Sequence, residues 1–225
     1  PCTLYPAIDY VLFGIQGAGK GTQGKILIKK LVDKNNSFPI YFETGEQLRI
    51  LSKEDSPLGK EIKSIIDAGH LVSNEVVMRI VENCITTLVP KNHPEMPIIF
   101  DGIPRNQEQS GTFEALLQKM NREYIGIYFD ISRHEAEKRL IWRRICMDCK
   151  ATYPFAYSHP VCEKCSGTLF RRTDDNPESI RTRIDIFYKE TLPVIEEWKT
   201  REKMITVNGT GTIEEVSKNL FEKLG

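Results

Sequence analysis

The stretch GIQGAGKGTQ, residues 14 to 23, follows the apolar run 10–13 and precedes a segment of helical period. Gly14, Gly19 and Lys20 match the spacing of phosphate-binding loops, in which a glycine-rich turn joins a strand to a helix. Such a turn directs backbone N–H groups and the positive end of a helix dipole toward one point. That point suits a polyphosphate, with the lysine reaching its outer phosphates.

The residue after Lys20 departs from the general motif. Ser or Thr usually follows the lysine, and its hydroxyl binds magnesium, but here Gly21 stands at that position and Thr22 comes one residue late. We therefore expect magnesium to be held mostly by water and by the phosphates, with Thr22 assisting a phosphate. The competing interpretation is a tight turn that merely requires glycines, which explains neither the lysine nor the flanking strand and helix.

Composition and charge limit the classes of function that the protein can have. The 225 residues suffice for one large domain or one domain with insertions, and we expect the latter. The 31 basic and 31 acidic residues balance, so no overall field favours nucleic acid or an anionic membrane. The chain has no run of about 18 apolar residues and no pattern of a secretion signal near residue 1. We expect a soluble, cytoplasmic protein without nucleic-acid or membrane partners.

Apolar strand-like runs alternate with segments of helical period, which predicts an α/β fold with a parallel sheet flanked by helices. The predicted strand and helix pairs are 8–13 with 20–32, 97–100 with 107–120, and 124–131 with 133–145. The C-terminal third adds a helix at 177–199, a strand at 204–207 and a last helix from residue 212.

Local motifs mark several helix ends. Ser132–Glu135 and Thr212–Glu215 have the spacing of a capping box, and Asn176–Pro177 predicts an N-cap followed by a first helical residue. Pro193 predicts a bend in the helix at 177–199, because proline lacks the N–H that would bond one turn back.

Two segments interrupt the alternation and suggest insertions. Residues 43–72 predict two short helices, and residues 142–175 are rich in Cys, Pro, Gly and Arg and lack helical period. The predicted core therefore comprises residues 1–42, 73–141 and 176–225.

Four of the six cysteines form two close pairs, CMDC and CEKC, within the second insertion. Two CxxC turns are the usual way to build a tetrahedral zinc site, with two disulfides or free thiols as alternatives. With four sulfur ligands no coordination position remains for water, so the zinc would be structural. The predicted ligands are Cys146, Cys149, Cys162 and Cys165.

The segment GKGT followed by Gln23 resembles the nucleoside monophosphate kinases, and adenylate kinases in particular. Further resemblances follow in order: TGEQLR at 44–49, DGIPRNQEQ at 101–109, RLIWRRIC at 139–146 and RRTDDNPESIRTR at 171–183. The resemblance implies a P-loop kinase core, a helical segment at 43–72 that binds the acceptor monophosphate, and a zinc-ribbon-like lid at 142–175. It also implies a monomeric enzyme that transfers a phosphoryl group reversibly from Mg-ATP to AMP, giving two ADP.

Transfer between two nucleotides brings two anions together and depends mainly on positioning and charge stabilisation. Guanidinium groups suit this task because they stay charged and bind phosphate through two parallel hydrogen bonds. In the terms of the resemblance, Arg49 and Arg105 would hold the acceptor phosphate. Arg143, Arg172 and Arg183 would close over the transferring phosphate. The alternative for any single arginine is a solvated surface charge.

The resemblance also assigns the bases and the carboxylates. Arg139 would stack on the donor adenine, and Gln109 would help to read the acceptor base. Asp101 resembles the carboxylate that orders magnesium-bound water, although it could instead cap the following turn. Asp174 and Asp175 would help to hinge the lid or hold it closed.

Taken together, the resemblance implies three sets of site residues. The donor set is Gly17, Ala18, Gly19, Lys20, Gly21, Thr22, Arg139, Arg143 and Gly211. The acceptor set is Thr44, Arg49, Ile66, Val72, Gly102, Arg105, Gln109, Arg172 and Arg183. The catalytic set is Lys20, Asp101, Arg105, Arg143, Arg172 and Arg183.

Four positions depart from the family pattern. Gln16 stands where Pro is usual, Glu46 where Asp is usual, Ile103 where Phe is usual, and Asn74 where an acidic residue is common. Because Ile103 would lie beside the acceptor base, a kinase for GMP, CMP or UMP stays open as an alternative. The long lid argues against uridylate and cytidylate kinases, whose corresponding segment is usually short.

A rival from another class is a nucleotide-dependent regulator whose zinc ribbon binds nucleic acid. The segment from Cys146 to Cys165 contains only Lys150 and Lys164 as cations. Nucleic-acid affinity depends on many phosphate contacts, so this composition argues against the rival.

Overall fold

The computed structural model describes residues 8–35, 38–91, 93–94, 96–154, 157–172 and 175–225. Within them, five strands form a parallel sheet in the order β2-β3-β1-β4-β8. The strands are β1 (Ile8–Phe13), β2 (Ile40–Glu43), β3 (Ile98–Asp101), β4 (Glu123–Asp130) and β8 (Met204–Asn208). The predicted α/β fold with a parallel sheet is confirmed.

Nine helices are seen in the described part of the chain. They are α1 (Lys20–Asn35), α2 (Thr44–Leu51), α3 (Pro57–Asp67), α4 (Asn74–Leu88), α5 (Gln107–Lys119), α6 (Arg133–Ile141), α7 (Pro177–Ile186), α8 (Leu192–Thr200) and α9 (Ile213–Leu224). The two short helices predicted for the first insertion are α2 and α3. None of these nine is both long and apolar enough to cross a bilayer.

The centre of the sheet is apolar on both faces. β1 is buried from Asp9 to Phe13 and pairs with β3 on one side and β4 on the other. The ring of Trp198 on α8 contacts Phe13 edge to face at 5.0 Å. Asp9 is the polar exception, and its carboxylate accepts hydrogen bonds from the backbone N–H of Ile98 and from the guanidinium of Arg122. A buried carboxylate needs such partners.

Two helix starts follow the sequence signals fully. The Asn176 side chain accepts a hydrogen bond from the N–H of Ser179, with Pro177 at the first helical position. Thr212 and Glu215 form both halves of a capping box.

At the third helix start, that of α6, only half of the capping box forms. Ser132 accepts a hydrogen bond from the N–H of Glu135, but the Glu135 carboxylate bonds to Arg139 instead of returning to the N-cap backbone. The capping-box prediction for Ser132–Glu135 is therefore wrong in this half, because a guanidinium one turn later competes for the carboxylate.

Two sequence predictions of regular structure need correction. The helix predicted at 133–145 ends at Ile141, and Arg144–Cys146 form a strand, β5. β5 pairs antiparallel with β6 (Thr152–Tyr153) and β7 (Leu169–Phe170) in a small three-stranded sheet. Strand β2 was not predicted: its apolar run at 40–42 is short, and its partner β3 lies far along the chain.

The long C-terminal helix is interrupted by a π-helical turn. α7 runs into Phe187–Thr191, whose backbone is π-helical, and α8 follows at once with Pro193 in its first turn. A helix can absorb a proline by locally widening its hydrogen-bond pattern. The predicted disturbance at Pro193 therefore takes the form of a π-helical turn.

Candidate functional site

The carboxyl ends of β1, β2 and β3 open into one cleft with a volume of about 1360 Å³. It is bounded by the glycine-rich loop, by α2 and α3, and by the small three-stranded sheet. Every nucleotide-site residue that the sequence predicted lies along it: Gly17, Ala18, Gly19, Lys20, Gly21, Thr22, Thr44, Arg49, Ile66, Val72, Asp101, Gly102, Arg105, Gln109, Arg139, Arg143, Arg172, Arg183 and Gly211.

The glycine-rich loop turns through backbone conformations that favour glycine. Gly17 and Gly19 have φ values of 87° and 90°. The Nζ of Lys20 donates hydrogen bonds to the carbonyl oxygens of Gly14 at 2.6 Å and Ile15 at 3.2 Å. Burial lowers the pKa of Lys20, and the nearby Asp101 carboxylate opposes this shift. The lysine is therefore folded over its own loop, with an anion beside it.

Asp101 lies at the end of β3, beside this lysine. Its side chain is buried, and its Oδ2 accepts a hydrogen bond from the hydroxyl of Tyr41 at 2.7 Å. Burial raises the pKa of Asp101, and the positive charge of Lys20 opposes the rise. A buried acid and a half-buried base thus face each other where the phosphate-binding loop meets the sheet.

The loop after β3 is held by a chain of hydrogen bonds. The backbone N–H of Arg105 donates to Gln109 Oε1 at 2.8 Å, and Arg105 Nε donates to the carbonyl of Gly102 at 2.9 Å. Gln109 Nε2 donates to Asn74 Oδ1 at 3.3 Å. The hydroxyl of Thr191, in the π-helical turn, donates to the Arg105 carbonyl at 2.8 Å. These contacts fix the orientation of the Gln109 amide and of the Arg105 side chain.

The opposite wall carries α2, with Thr44 at its first position. Arg49 Nη2 donates to Glu43 at 2.8 Å and to Glu46 at 3.1 Å. The Thr44 Oγ1 is buried and has no hydrogen-bond partner among the described residues. A buried hydroxyl without a partner is costly, so this atom is suited to bind a ligand in the cleft.

An ion-pair cluster lies where the small sheet joins the core. The Asp175 side chain is 2 % exposed and pairs with Arg143 at 2.7 Å and with Arg183 at 2.9 Å. Arg143 engages it through both Nε and Nη2. Asp175 therefore holds two arginines at the edge of the cleft, and its role in hinging the lid or holding it closed stays a prediction. Asp174 lies outside the described residues.

Arg139 lies between α6 and the glycine-rich loop. Its guanidinium donates to the carbonyl oxygens of Gly17 and Gly209, each at 3.2 Å, and pairs with Glu135 at 2.7 Å. This places a planar cation in the cleft beside the glycine-rich loop.

The four lid cysteines converge on one point. Their Sγ atoms all lie within 4.8 Å of one another, with Cys146 to Cys165 at 3.4 Å and Cys149 to Cys162 at 3.5 Å. A disulfide requires about 2.05 Å, whereas four sulfurs at roughly 2.3 Å from a zinc ion would lie roughly 3.8 Å apart. The cluster is therefore compatible with a tetrahedral metal site, and neither of the two close pairs lies at disulfide bonding distance.

Each CxxC pair is followed by the same backbone bend. Lys150 and Ser166, which come directly after the second cysteine of each pair, have φ values of 58° and 59°. We call these two turns, residues 146–150 and 162–167, the knuckles. Both turn back on themselves in the same way, which brings their thiols together.

Sequence reasoning missed two side chains of the cleft, one phenolic and one acidic. Tyr41 and Glu43 project from β2 and line the cleft beside Asp101 and Arg49. Asn74 was noted only as a departure, yet it accepts hydrogen bonds from both Asn106 and Gln109. The available signal was the short run IYF at 40–42, which is followed by Glu43 directly before TGEQLR.

Comparison with known proteins gives a consistent result. The family model described as adenylate kinase matches residues 12–203. A relative named adenylate kinase from Geobacillus sp. (strain WCH70) is 34% identical over 224 residues, covering 97% of this chain and 99% of the relative. One from Hydrogenobaculum sp. (strain Y04AAS1) is 36% identical over 219 residues, covering 95% and 97%. One from Staphylococcus epidermidis (strain ATCC 12228 / FDA PCI 1200) is 31% identical over 223 residues, covering 96% and 99%.

Proposed function

The chain belongs to the adenylate kinase family, and from that premise we propose how its cleft divides the work of the reaction. The reaction is the reversible transfer of a phosphoryl group from ATP to AMP, giving two ADP. The observation that carries the assignment of residues is that one cleft gathers the phosphate-binding loop, the buried Asp101 and all six of the predicted arginines.

The donor nucleotide binds along the glycine-rich loop. Backbone N–H groups at the start of α1 receive the phosphates, and Lys20 exchanges its carbonyl partners on the loop for phosphate oxygens. Thr22 assists a phosphate at the first turn of α1. The guanidinium of Arg139, beside Gly17 and Gly209, stacks on the adenine, and Gly211 lies close to it.

The acceptor nucleotide binds between α2, α3 and the loop after β3. Thr44 offers the base a buried hydroxyl that has no hydrogen-bond partner among the described residues. Gln109 lines the same cleft, and its amide orientation is fixed by Arg105 and Asn74. The Gly102 backbone, Ile66 and Val72 complete the pocket. Arg105 receives the AMP phosphate together with Arg49, which must release part of its pairing with Glu43 and Glu46.

The transferring phosphate lies between the two sites, under the arginines of the lid side. Asp175 engages Nε and Nη2 of Arg143, so we assign Nη1 of that guanidinium to the phosphate. Arg183 is held by the same carboxylate, and Arg172 lines the cleft beside them. Preorganised cations aimed at the developing charge carry most of the catalysis in such transfers.

Closure of the lid segment, residues 142–175, over the core excludes water that would otherwise take the phosphoryl group. The moving parts are this lid and the acceptor segment 43–72, with residues 1–42, 73–141 and 176–225 as the core. The protein acts as a monomer, with neither nucleic acid nor membrane as a partner.

Two metals are implied. Magnesium, when bound with ATP, neutralises phosphate charge; Asp101 would hold water molecules of its hydration shell, since Gly21 offers no hydroxyl. Zinc would be held by Cys146, Cys149, Cys162 and Cys165 and would stiffen the lid without taking part in the chemistry, because four sulfur ligands leave no position for a substrate.

The test is ADP formation from Mg-ATP with AMP, GMP, CMP or UMP supplied in turn, against a control without acceptor. We expect rapid turnover with AMP. A preference for another monophosphate would overturn the acceptor assignment around Thr44 and Gln109, and ATP hydrolysis without acceptor dependence would favour a nucleotide-dependent regulator.

The matched variant is Lys20→Met. Turnover should fall by a factor of about 100 to 1000 or more, as when one transition-state donor is lost, while circular dichroism should show an intact fold. Undiminished turnover would refute the assignment of the phosphate-binding loop.

A further inference from the structure

Tyr41 lies on β2, outside every motif that the family resemblance covers. Its hydroxyl donates a hydrogen bond to Asp101 Oδ2 at 2.7 Å, and its side chain lines the nucleotide cleft. β2 and β3 run parallel, with the Cα of Glu43 opposite that of Asp101. Because side chains two residues apart share a face of a strand, Tyr41 and Glu43 project toward the same side of the sheet.

Two glycines of α1 lie against the Tyr41 side chain, and one of them, Gly24, makes room for its ring. A Cβ on Gly24 would lie 2.6 Å from Tyr41 Cε2 and 3.0 Å from Leu12 Cδ1, which no real side chain allows. A Cβ on Gly21 would lie 3.8 Å from the Tyr41 hydroxyl oxygen. Gly21 stands where most phosphate-binding loops carry Ser or Thr. The phenol of Tyr41 therefore places its hydroxyl close to where the missing side chain would begin.

The charges around Asp101 show what this hydroxyl does. Lys20 and Arg105 face the carboxylate as cations, and Glu43 faces it as an anion. Burial disfavours the ionised carboxyl group, while the hydrogen bond from Tyr41 favours it. The contact occupies Oδ2 of Asp101, while among the described residues no hydrogen bond to Oδ1 is seen and the side chain lines the cleft.

We propose that Tyr41 is a positioning residue for phosphoryl transfer: its hydroxyl holds the Asp101 carboxylate in place and stands in for the hydroxyl that the loop lacks at Gly21. This inference rests on the role proposed above for Asp101. Tyr41 itself touches neither nucleotide and acts through the carboxylate.

The variant that isolates this contact is Tyr41→Phe, which keeps the ring against Gly24 and removes only the hydroxyl. Tyr124→Phe is the matched control, because Tyr124 is also half-buried and also donates to a carboxylate, that of Glu114, away from the cleft. Both variants lose one such hydrogen bond, so a purely structural role predicts equal behaviour.

We expect Tyr41→Phe to lower kcat about tenfold, in keeping with the loss of a hydrogen bond to a charged group, with KM for AMP changed by less than about twofold. Tyr124→Phe should leave both constants near those of the wild type. Thermal unfolding of both variants would confirm that each is folded under the assay conditions. Equal kcat values in the two variants would overturn the proposal.

A second readout does not depend on turnover. Isothermal titration calorimetry measures how much magnesium strengthens ATP binding in the wild type, Tyr41→Phe, Asp101→Asn and the double variant. We expect each single variant to lose several-fold of that enhancement and the double variant to lose no more than Asp101→Asn alone. If the losses of the two single variants multiply in the double variant, Tyr41 does not act through Asp101.

The two assignments can fail separately. If Asp101→Asn turns over like the wild type, the role of Asp101 is wrong and the proposal for Tyr41 falls with it. If Asp101→Asn is impaired and Tyr41→Phe is not, only the inference about Tyr41 is wrong.

Discussion

Asp101 and Lys20 lie in an environment that disfavours their charged forms, which lowers the stability of the fold but suits the chemistry of the site. Asp101 is buried and Lys20 half-buried at the junction of sheet and loop. Desolvation raises the pKa of Asp101 and lowers that of Lys20, which favours the neutral form of each. Each also opposes the shift of the other through its charge. Groups whose environment disfavours their charged forms are characteristic of functional sites, and this pair lies where a phosphate chain would supply or remove charge.

Asp101→Asn should therefore alter stability and activity in opposite directions. The pKa of Asp101 is raised from 3.8 in the folded protein, so the folded state binds this proton more readily than the unfolded state. The stability contributed by the protonated carboxyl group is present at low pH and is lost as the pH rises through the folded-state pKa. The variant lacks this titration, so its unfolding free energy relative to the wild type should rise with pH.

Urea unfolding of the nucleotide-free proteins between about pH 4 and pH 8 measures this difference. Turnover of the same variant should fall about 100-fold or more. A stability difference that shrinks as the pH rises would contradict the inferred direction of the Asp101 pKa shift.

At the scale of elements, the lid depends on two short knuckles more than on its strands. β6 and β7 are two residues each, too short to be stable alone, and the four thiols converge where the knuckles meet. Gly167 completes the second knuckle, since a Cβ there would lie 2.1 Å from Asp148 Oδ2 and 2.8 Å from Cys146 Sγ.

Gly167→Ala should consequently reduce zinc content, because the added methyl group pushes the second knuckle away from Cys146. The measurement is the zinc-to-protein ratio by elemental analysis, with Cys149→Ser as the variant that removes a ligand outright. Gly111→Ala is the control, since a Cβ at Gly111 meets nothing within 4 Å, and in a helix it should stabilise by about 0.5–1 kcal/mol. Full zinc occupancy in both Gly167→Ala and Cys149→Ser would refute the four-thiolate site.

The π-helical turn is a second element with a functional position. It directly precedes Pro193, and its Thr191 hydroxyl holds the carbonyl of Arg105. Wide turns of this kind are frequent at functional sites. Here the disturbance that Pro193 causes in the helix coincides with a contact to Arg105 in the loop after β3.

At the scale of the whole molecule, Asp175 connects the lid to the core. It joins Arg143, next to β5, to Arg183 on α7, and all three side chains are largely buried. Removing one member of a buried cluster leaves charges without compensation, which is far more costly than breaking a surface pair.

Asp175→Asn should lower the unfolding free energy by about 3 kcal/mol and raise KM for both nucleotides, because Arg143 and Arg183 lose their shared anchor. Asp185→Asn is the control, since Asp185 is 64% exposed and pairs with Arg133 on the surface; it should leave stability and KM almost unchanged. Chemical denaturation and steady-state kinetics of both variants would decide. Equal effects in the two would show that the cluster does not anchor the lid.

The sequence by itself determined the parallel α/β arrangement, the phosphate-binding loop and the cysteine set. Through the family resemblance it also indicated many of the residues that line the cleft, but not Tyr41 or Glu43. Those features depend on local spacing and on motifs whose chemistry is readable residue by residue. It also marked the caps at Asn176 and Thr212, which involve neighbours three residues apart.

Only the tertiary structure decided what depends on distant partners. The helix predicted at 133–145 ends at Ile141 because β5 pairs with β6 nearby and with β7 more distantly along the chain, and β2 exists because β3 completes it. The contact between Tyr41 and Asp101 joins residues 60 positions apart, and the pairing of Asp175 with Arg143 joins residues 32 positions apart. A local pattern carries no information about such pairs, because their energies arise only when the folded chain brings the two groups together.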